Sequence, residues 1–186
     1  LDGEPAFAEL FFDDCLVKAE NRLGDEGAGW NVAMATASSE RGLNLRAPGR
    51  FLAAANQLVE LYRRLLAEER VIPTELRDQV VDGYIAAQAY RWQVFSKASA
   101  LMHGASMGAE ASYMKIFWSE LDVDLHATAL RLLADQGELV SPASDAVSGG
   151  SWMSGYLFAL AGPIYAGTNE IQRNIVAERV LGLPRK

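Results

Sequence analysis

Only one of the 186 residues is cysteine and two are histidine. One thiol cannot form an internal disulfide, and a reducing, cytoplasmic compartment is expected. Cys15 follows Asp13-Asp14, whose charges disfavour a thiolate, so the reading is structural rather than nucleophilic. His103 and His126 have no neighbouring Cys, His or carboxylate at metal-ligand spacing, so both read as packing or surface residues and no metal is expected. Asp122 and Asp124 have no glycine-centred calcium loop around them and read as a solvated helix face. Basic residues are also in deficit. Lys and Arg number 17 against 24 Asp and Glu, a net charge of −7, which makes nucleic acid a poor partner. No apolar run reaches 18 residues and no signal peptide is visible, so no membrane span is expected. An initiator methionine is missing at Leu1, which suggests a fragment or a processed piece.

Half of the residues are hydrophobic, enough for one sizeable core or a large piece of a bigger enzyme. Their spacing is mostly helical. The short run Phe7 to Phe12 (FAELFF), bounded by Asp13-Asp14, reads as a strand, and a lone strand needs a sheet from elsewhere. From residue 29 to 69, leucines 45, 52, 58, 61 and 65 recur at helical spacing in one long helix that Pro48-Gly49 must kink or split. Pro73-Thr74 opens a second helix, with Thr74 a candidate cap, and "GASMG" ends it between Gly104 and Gly108. A third helix is expected from about Glu110 to Asp135, then the loop "QGELVSPASDAVSGGS" and a short helix at 152–161. Trp92, Trp118 and Trp152 read as core or interface residues, and "SGGS" at 148–151 as a flexible loop rather than a phosphate cradle.

The stretch "YAGTNEIQR", 165–173, carries the most chemistry. Gly167 permits a backbone conformation that other residues resist, Thr168 can cap the next helix, and Glu170 lies in its first turn. A helix start offers free N–H groups to phosphates or to an oxygen gaining negative charge. The alternative is simply a good N-cap. The helix ends before Gly182 and Pro184.

The end of the chain, "GPIYAGTNEIQRNIVAERVLGLPRK", resembles the C-terminal signature of the acyl-CoA dehydrogenases. "FFDDCLVKAENRLGDEGAGWNVAMATASSERG" is similar to that family's passage from its middle β-domain into its first C-terminal helix, and "ASYMKIFWSEL" to the third helix of a bacterial subset. The resemblance covers essentially the whole chain. It implies a mainly α fold, a four-helix bundle at 26–186, preceded at 1–25 by the tail of the middle β-domain with its remnant strand. It also implies an FAD flavoprotein of fatty-acid and lipid metabolism that oxidises an acyl-CoA to the trans-2-enoyl-CoA. An electron-transfer flavoprotein or similar acceptor would reoxidise it, in a homo- or hetero-oligomer built on dimers. The fragment alone should be inactive.

In many members the base is the Glu before Gly-Thr of this signature, where this chain has Ala166. A minority place the base on the first long helix before an Arg, and "ATASSERGLNLR" supplies Glu40 followed by Arg41. A carboxylate there needs a dry site to raise its pKa above about 4.3. By the same resemblance, the Ala166 N–H would hold the thioester carbonyl, Gly167 would border the substrate and Tyr165 would pack near the acyl chain. Thr168, Asn169 and Glu170 would line the FAD, and Ser38, Ser39 and Arg41 would flank the base on the CoA side. Two departures weaken the flavin contacts. The Arg-x-x-Phe-Gly motif common in the family is absent from "YRRLLAEERVIPTELRDQ", and the Gly-rich stretch is shortened to "SGGSWMSGYLFALAGP". Both resemble a subset that pairs unlike subunits and often handles bulky acyl groups. A non-catalytic partner subunit and a flavin monooxygenase on the same fold are the alternative functions.

Overall fold

The computed structural model describes residues 8–35, 47–105 and 108–185. It is helical. Five α-helices carry the bundle, namely α1 (Pro48–Ala67), α2 (Thr74–Met102), α3 (Ala111–Leu133), α4 (Ser151–Ala159) and α5 (Asn169–Ile175). Residues 29–35 are also helical, and α5 continues into a wider turn at Val176–Val180.

Helix α3 is the centre, packing against α1, α2, α4 and α5. Its apolar positions Met114, Trp118, Leu121, Leu125, Ala129 and Leu132 recur every three to four residues and form a buried stripe. Phe51, Ala55, Leu58, Leu61 and Leu65 of α1 meet it at the same period. The α2 stripe is Leu76, Val80, Ala87, Tyr90 and Val94, with Gly83 in register. A Cβ on Gly83 would stand 2.8 Å from Leu125 Cδ2, so its lack of a side chain lets α2 and α3 close together. Phe51 meets the Tyr90 ring edge-on at 5.2 Å, joining α1 to α2.

Several sequence expectations change. Of the kink or split expected at Pro48-Gly49 the structure has the break: Ala47 is not helical and Pro48 occupies the first turn of α1, where its missing N–H costs no bond. Thr74 is the first residue of α2 rather than its cap; Pro73 stands at the cap with no side-chain bond. The strand expected at 7–12 does not form over the described residues 8–12. They have no regular secondary structure and are exposed, Phe11 at 84 %, with no described strand to pair with their backbone. Cys15 lies in the same segment and is exposed, not a buried structural thiol. Trp118 and Trp152 are core, whereas Trp92 is 62 % exposed. In "SGGS" only Gly150 is packed, buried where a Cβ would come within 2.6 Å of Val140 Cα, while Ser148, Gly149 and Ser151 are exposed. None of the helices is long and apolar enough to cross a membrane, among the described residues.

Asp122 is the sharpest correction. Instead of facing solvent it is 2 % exposed, and Arg50 Nη2 of α1 lies 2.6 Å from its Oδ2. The Arg50 guanidinium also lies 5.1 Å from the Phe158 ring of α4. One turn on, His126 Nδ1 is 2.7 Å from the Asp122 carbonyl, and its ring meets Trp152 edge-on at 5.6 Å. Periodicity marks position 122 only as flanking the stripe; the partner 72 residues away that makes burial tolerable is invisible locally. Arg50→Leu is expected to destabilise the bundle by about 2 kcal/mol, because it leaves a buried carboxylate without its cation. Adding Asp122→Asn should recover roughly half of that loss, as read by urea denaturation.

Candidate functional site

The segment joining α4 to α5 is a tight, multiply bonded turn. Gly162 N–H donates to Ala159 O at 2.8 Å, and the Ile164 and Tyr165 N–H groups both donate to Ala161 O at 3.0 Å. Gly162 is buried against Ser119 and Trp118 of α3, where a Cβ would lie 3.3 Å from Ser119 Cβ. Tyr165 packs on the core with its ring 6.0 Å from that of Trp118. The Asn169 N–H donates back to Pro163 O at 2.9 Å and closes the loop.

Between these anchors the chain reverses through two left-handed residues, Ala166 at φ +55° and Gly167 at φ +87°. The second suits glycine; the first costs an alanine about 1–2 kcal/mol, so surrounding contacts must hold it. No described residue accepts from the Ala166 N–H. Thr168 caps α5 as expected, its Oγ1 accepting from Ile171 N–H at 3.3 Å. The exposed Glu170 carboxyl is held below the usual carboxylate range, first by its own backbone N–H, then by the Thr168 hydroxyl and the nearby Arg173 and Lys115.

Beneath the turn sits a polar joint that sequence reasoning missed. Asn169 is buried, its Oδ1 accepting from Lys115 Nζ at 2.8 Å and from Ser119 Oγ at 3.2 Å. Its Nδ2 donates to Glu120 Oε1 at 3.3 Å, and Arg173 forms an ion pair with the same carboxylate. Three α3 side chains on successive turns, Lys115, Ser119 and Glu120, thus grip the first residue of α5. The signal available was Lys115 and Ser119 at i, i+4 within the apolar run "MKIFWSEL", polar positions on a face otherwise buried. Gln172 was also missed. Its side chain is 1 % exposed and its Nε2 donates to Ala166 O at 3.1 Å and to Gly167 O at 3.4 Å.

Residues Tyr165, Ala166, Gly167, Thr168, Asn169 and Glu170 are therefore brought together as one turn. Asn169 faces inward, whereas Gly167 and Glu170 face outward. Ser38, Ser39, Glu40 and Arg41 lie outside the described residues. A cleft of about 450 Å³ between α2 and α3, lined by Asp82, Phe117, Glu120 and Asp124 among others, includes none of residues 165–170. Burial, and secondarily Glu120, pushes the Asp124 carboxyl up within it.

Lys115 is 8 % exposed, and desolvation lowers its pKa against the pull of Glu170 and Glu120. A lysine whose folded pKa lies below its unfolded value binds fewer protons in the native state. Stability from this group therefore rises with pH, through the window from the depressed folded pKa to the unfolded value near about 10.4. Comparing thermal unfolding of the protein with that of Lys115→Met between about pH 8 and about pH 10 should show the unsubstituted chain gaining on the variant.

Residues 27–181 match the acyl-CoA dehydrogenase C-terminal domain. The chain is 36 % identical over 194 residues to acyl-CoA dehydrogenase IpdE1 of Mycolicibacterium smegmatis, covering 100 % of this chain and 45 % of that protein. It is 29 % identical to an acyl-CoA dehydrogenase of Bacillus subtilis, covering 94 % of this chain and 45 % of that one. The chain thus spans a little under half the length of the curated relatives it matches. Among solved structures, the Tcur3481-Tcur3483 steroid ACAD superposes with a TM-score of 0.75 at 23 % identity, over 88 % of this chain and 42 % of that one. The ChsE4-ChsE5 complex from Mycobacterium tuberculosis gives 0.73 at 23 %, over 91 % and 44 %. These superpositions establish the fold.

Proposed function

The chain belongs to the acyl-CoA dehydrogenase family, through that family's C-terminal domain, and on this premise we propose that it is the helical bundle of an enzyme that oxidises an acyl-CoA thioester to the trans-2-enoyl-CoA with FAD as cofactor. The observation that carries the reading is the Ala166 N–H. It sits in a left-handed turn fixed on both sides and no described residue accepts from it. Such a donor suits a carbonyl oxygen that gains negative charge as the α-proton leaves.

The turn fits a flavin better at its hydroxyl-bearing part than at its phosphates. The Glu170 carboxylate, exposed and held ionised beside the start of α5, accepts hydrogen bonds and repels phosphate. Thr168 and Glu170 would hold the FAD there, with Asn169 fixing the turn beneath them. FAD, when bound, supplies the acceptor for the β-hydrogen and its electron pair. The chain's own residues do the rest. Ala166 N–H orients and polarises the thioester carbonyl, Gly167 borders the substrate, and Tyr165 packs near the acyl chain. Glu40 takes the α-proton, with Ser38, Ser39 and Arg41 beside it on the CoA side. Ala166 itself has no group that could take a proton, which is why the base is assigned to Glu40.

Association with another subunit is supported by an exposed apolar row on α2, at Val81, Tyr84, Ile85, Trp92 and Phe95, on the face turned away from α3. The partner is a second copy or an unlike subunit, as in the two-component Tcur3481-Tcur3483 and ChsE4-ChsE5 structures. An electron-transfer flavoprotein is the expected acceptor.

The full-length protein, mixed with acyl-CoA without oxygen, should lose its visible flavin absorbance, and Glu40→Gln should slow that bleaching by at least about 100-fold while retaining FAD. Equal bleaching in both would place the base elsewhere, and a parent protein without FAD would favour the partner-subunit reading.

A further inference from the structure

Gln172 has one of the most enclosed side chains in the protein, and the packing of the core does not need its polarity. Both atoms within reach of its amide are carbonyl oxygens, Ala166 O and Gly167 O, so the amino end faces them. Its Oε1 accepts from no described residue. The two donated bonds are thus what the buried amide supplies. Room for them comes from Gly167, where a Cβ would stand 2.5 Å from Nε2.

From this geometry we infer that Gln172 is a positioning residue for the reaction proposed above: it straps the left-handed turn so that the Ala166 N–H is held for the thioester oxygen. The inference rests on that reading of Ala166. Peptide planes are rigid and trans, so a carbonyl drawn inward sends the N–H of the same plane outward. Nε2 draws in two successive carbonyls, which fixes the chain on the far side of Ala166. On the near side Tyr165 is fixed by its N–H bond to Ala161 O and by its ring on Trp118. The peptide carrying the Ala166 N–H lies between these two anchors, and the unfavourable φ of +55° persists because neither end can turn to relieve it. Without the strap, alanine would relax to negative φ and the donor would swing away.

The test uses full-length holoenzyme. Gln172→Met keeps the length of the side chain and removes both donors. It should leave FAD content and KM within about threefold and lower kcat by about 10- to 100-fold, a displaced oxyanion donor costing less than the roughly 100- to 1,000-fold of one removed outright. Adding Ala166→Gly should restore kcat several-fold, because glycine takes the left-handed conformation without help. Gln172→Glu provides a second variant whose pH profile differs: its rate relative to the parent should rise as pH falls, when a protonated carboxyl can donate again. The same pair of substitutions, Gln172→Met and Ala166→Gly, should be non-additive in thermal stability, a readout independent of turnover. Unchanged kcat in Gln172→Met, or a loss that Ala166→Gly does not relieve, overturns the inference. A parent enzyme that does not dehydrogenate any acyl-CoA defeats the functional reading instead. In that case additive stability effects would overturn the strap, and non-additive ones would support it.

Discussion

The grip of α3 on Asn169 is the interaction on which the rest of the site depends. Helix α5 has seven residues, too few to hold its place by its own backbone bonds. Lys115, Ser119 and Glu120 fix its first residue through one buried amide, and Arg173 adds a second hold on Glu120. Once that residue is fixed, its N–H to Pro163 O closes the loop behind it, and the turn at 165–168 has no freedom left at either end. Left-handed backbone at Ala166 and Gly167 follows from this closure rather than from local preference. The arrangement places a rigid turn, with the Ala166 N–H on it, at one end of the helical bundle.

A common physical theme links this joint to the one formed by Arg50, Asp122 and His126. In both, α3 carries polar groups on faces that periodic packing would make apolar: Asp122 is matched by Arg50 of α1, Lys115 and Ser119 by Asn169 of α5, and His126 by the Asp122 carbonyl one turn back on α3 itself. Burial of such groups is tolerated only with those partners present. They set which helix lies where, whereas the leucine and aromatic stripes supply most of the cohesion. Relative orientation of α1, α4 and α5 about α3 is thereby specified by Lys115, Ser119, Glu120, Asp122 and His126, which all lie on that one helix.

How much of this was legible in the sequence depended on the range of the interactions. The helices were legible because apolar spacing is local: Leu58, Leu61 and Leu65 on α1 lie where the pattern puts them. The cap at Thr168 and the need for glycine at 167 were legible for the same reason. Asp122 was misread as solvated because Arg50 is distant in the chain, and Lys115 and Ser119 were passed over because their partner Asn169 is likewise remote. Gln172 bonds to near neighbours, but to carbonyls that only the folded left-handed turn presents to it. The strand expected at 7–12 was read from composition alone, and strands exist only through pairing that composition does not supply. The role proposed for Glu40 rests on the family resemblance, since nothing in its local spacing distinguishes it from a surface glutamate.

The most direct measurement is a structure of the full-length protein with FAD and an acyl-CoA analogue that cannot lose its α-proton. The account predicts the acyl carbonyl oxygen within about 3.2 Å of the Ala166 nitrogen, with Ala166 still left-handed and the Gln172 amide on the two carbonyls behind it. A carbonyl held by other groups, with the Ala166 N–H turned away from it, would contradict the account at its centre.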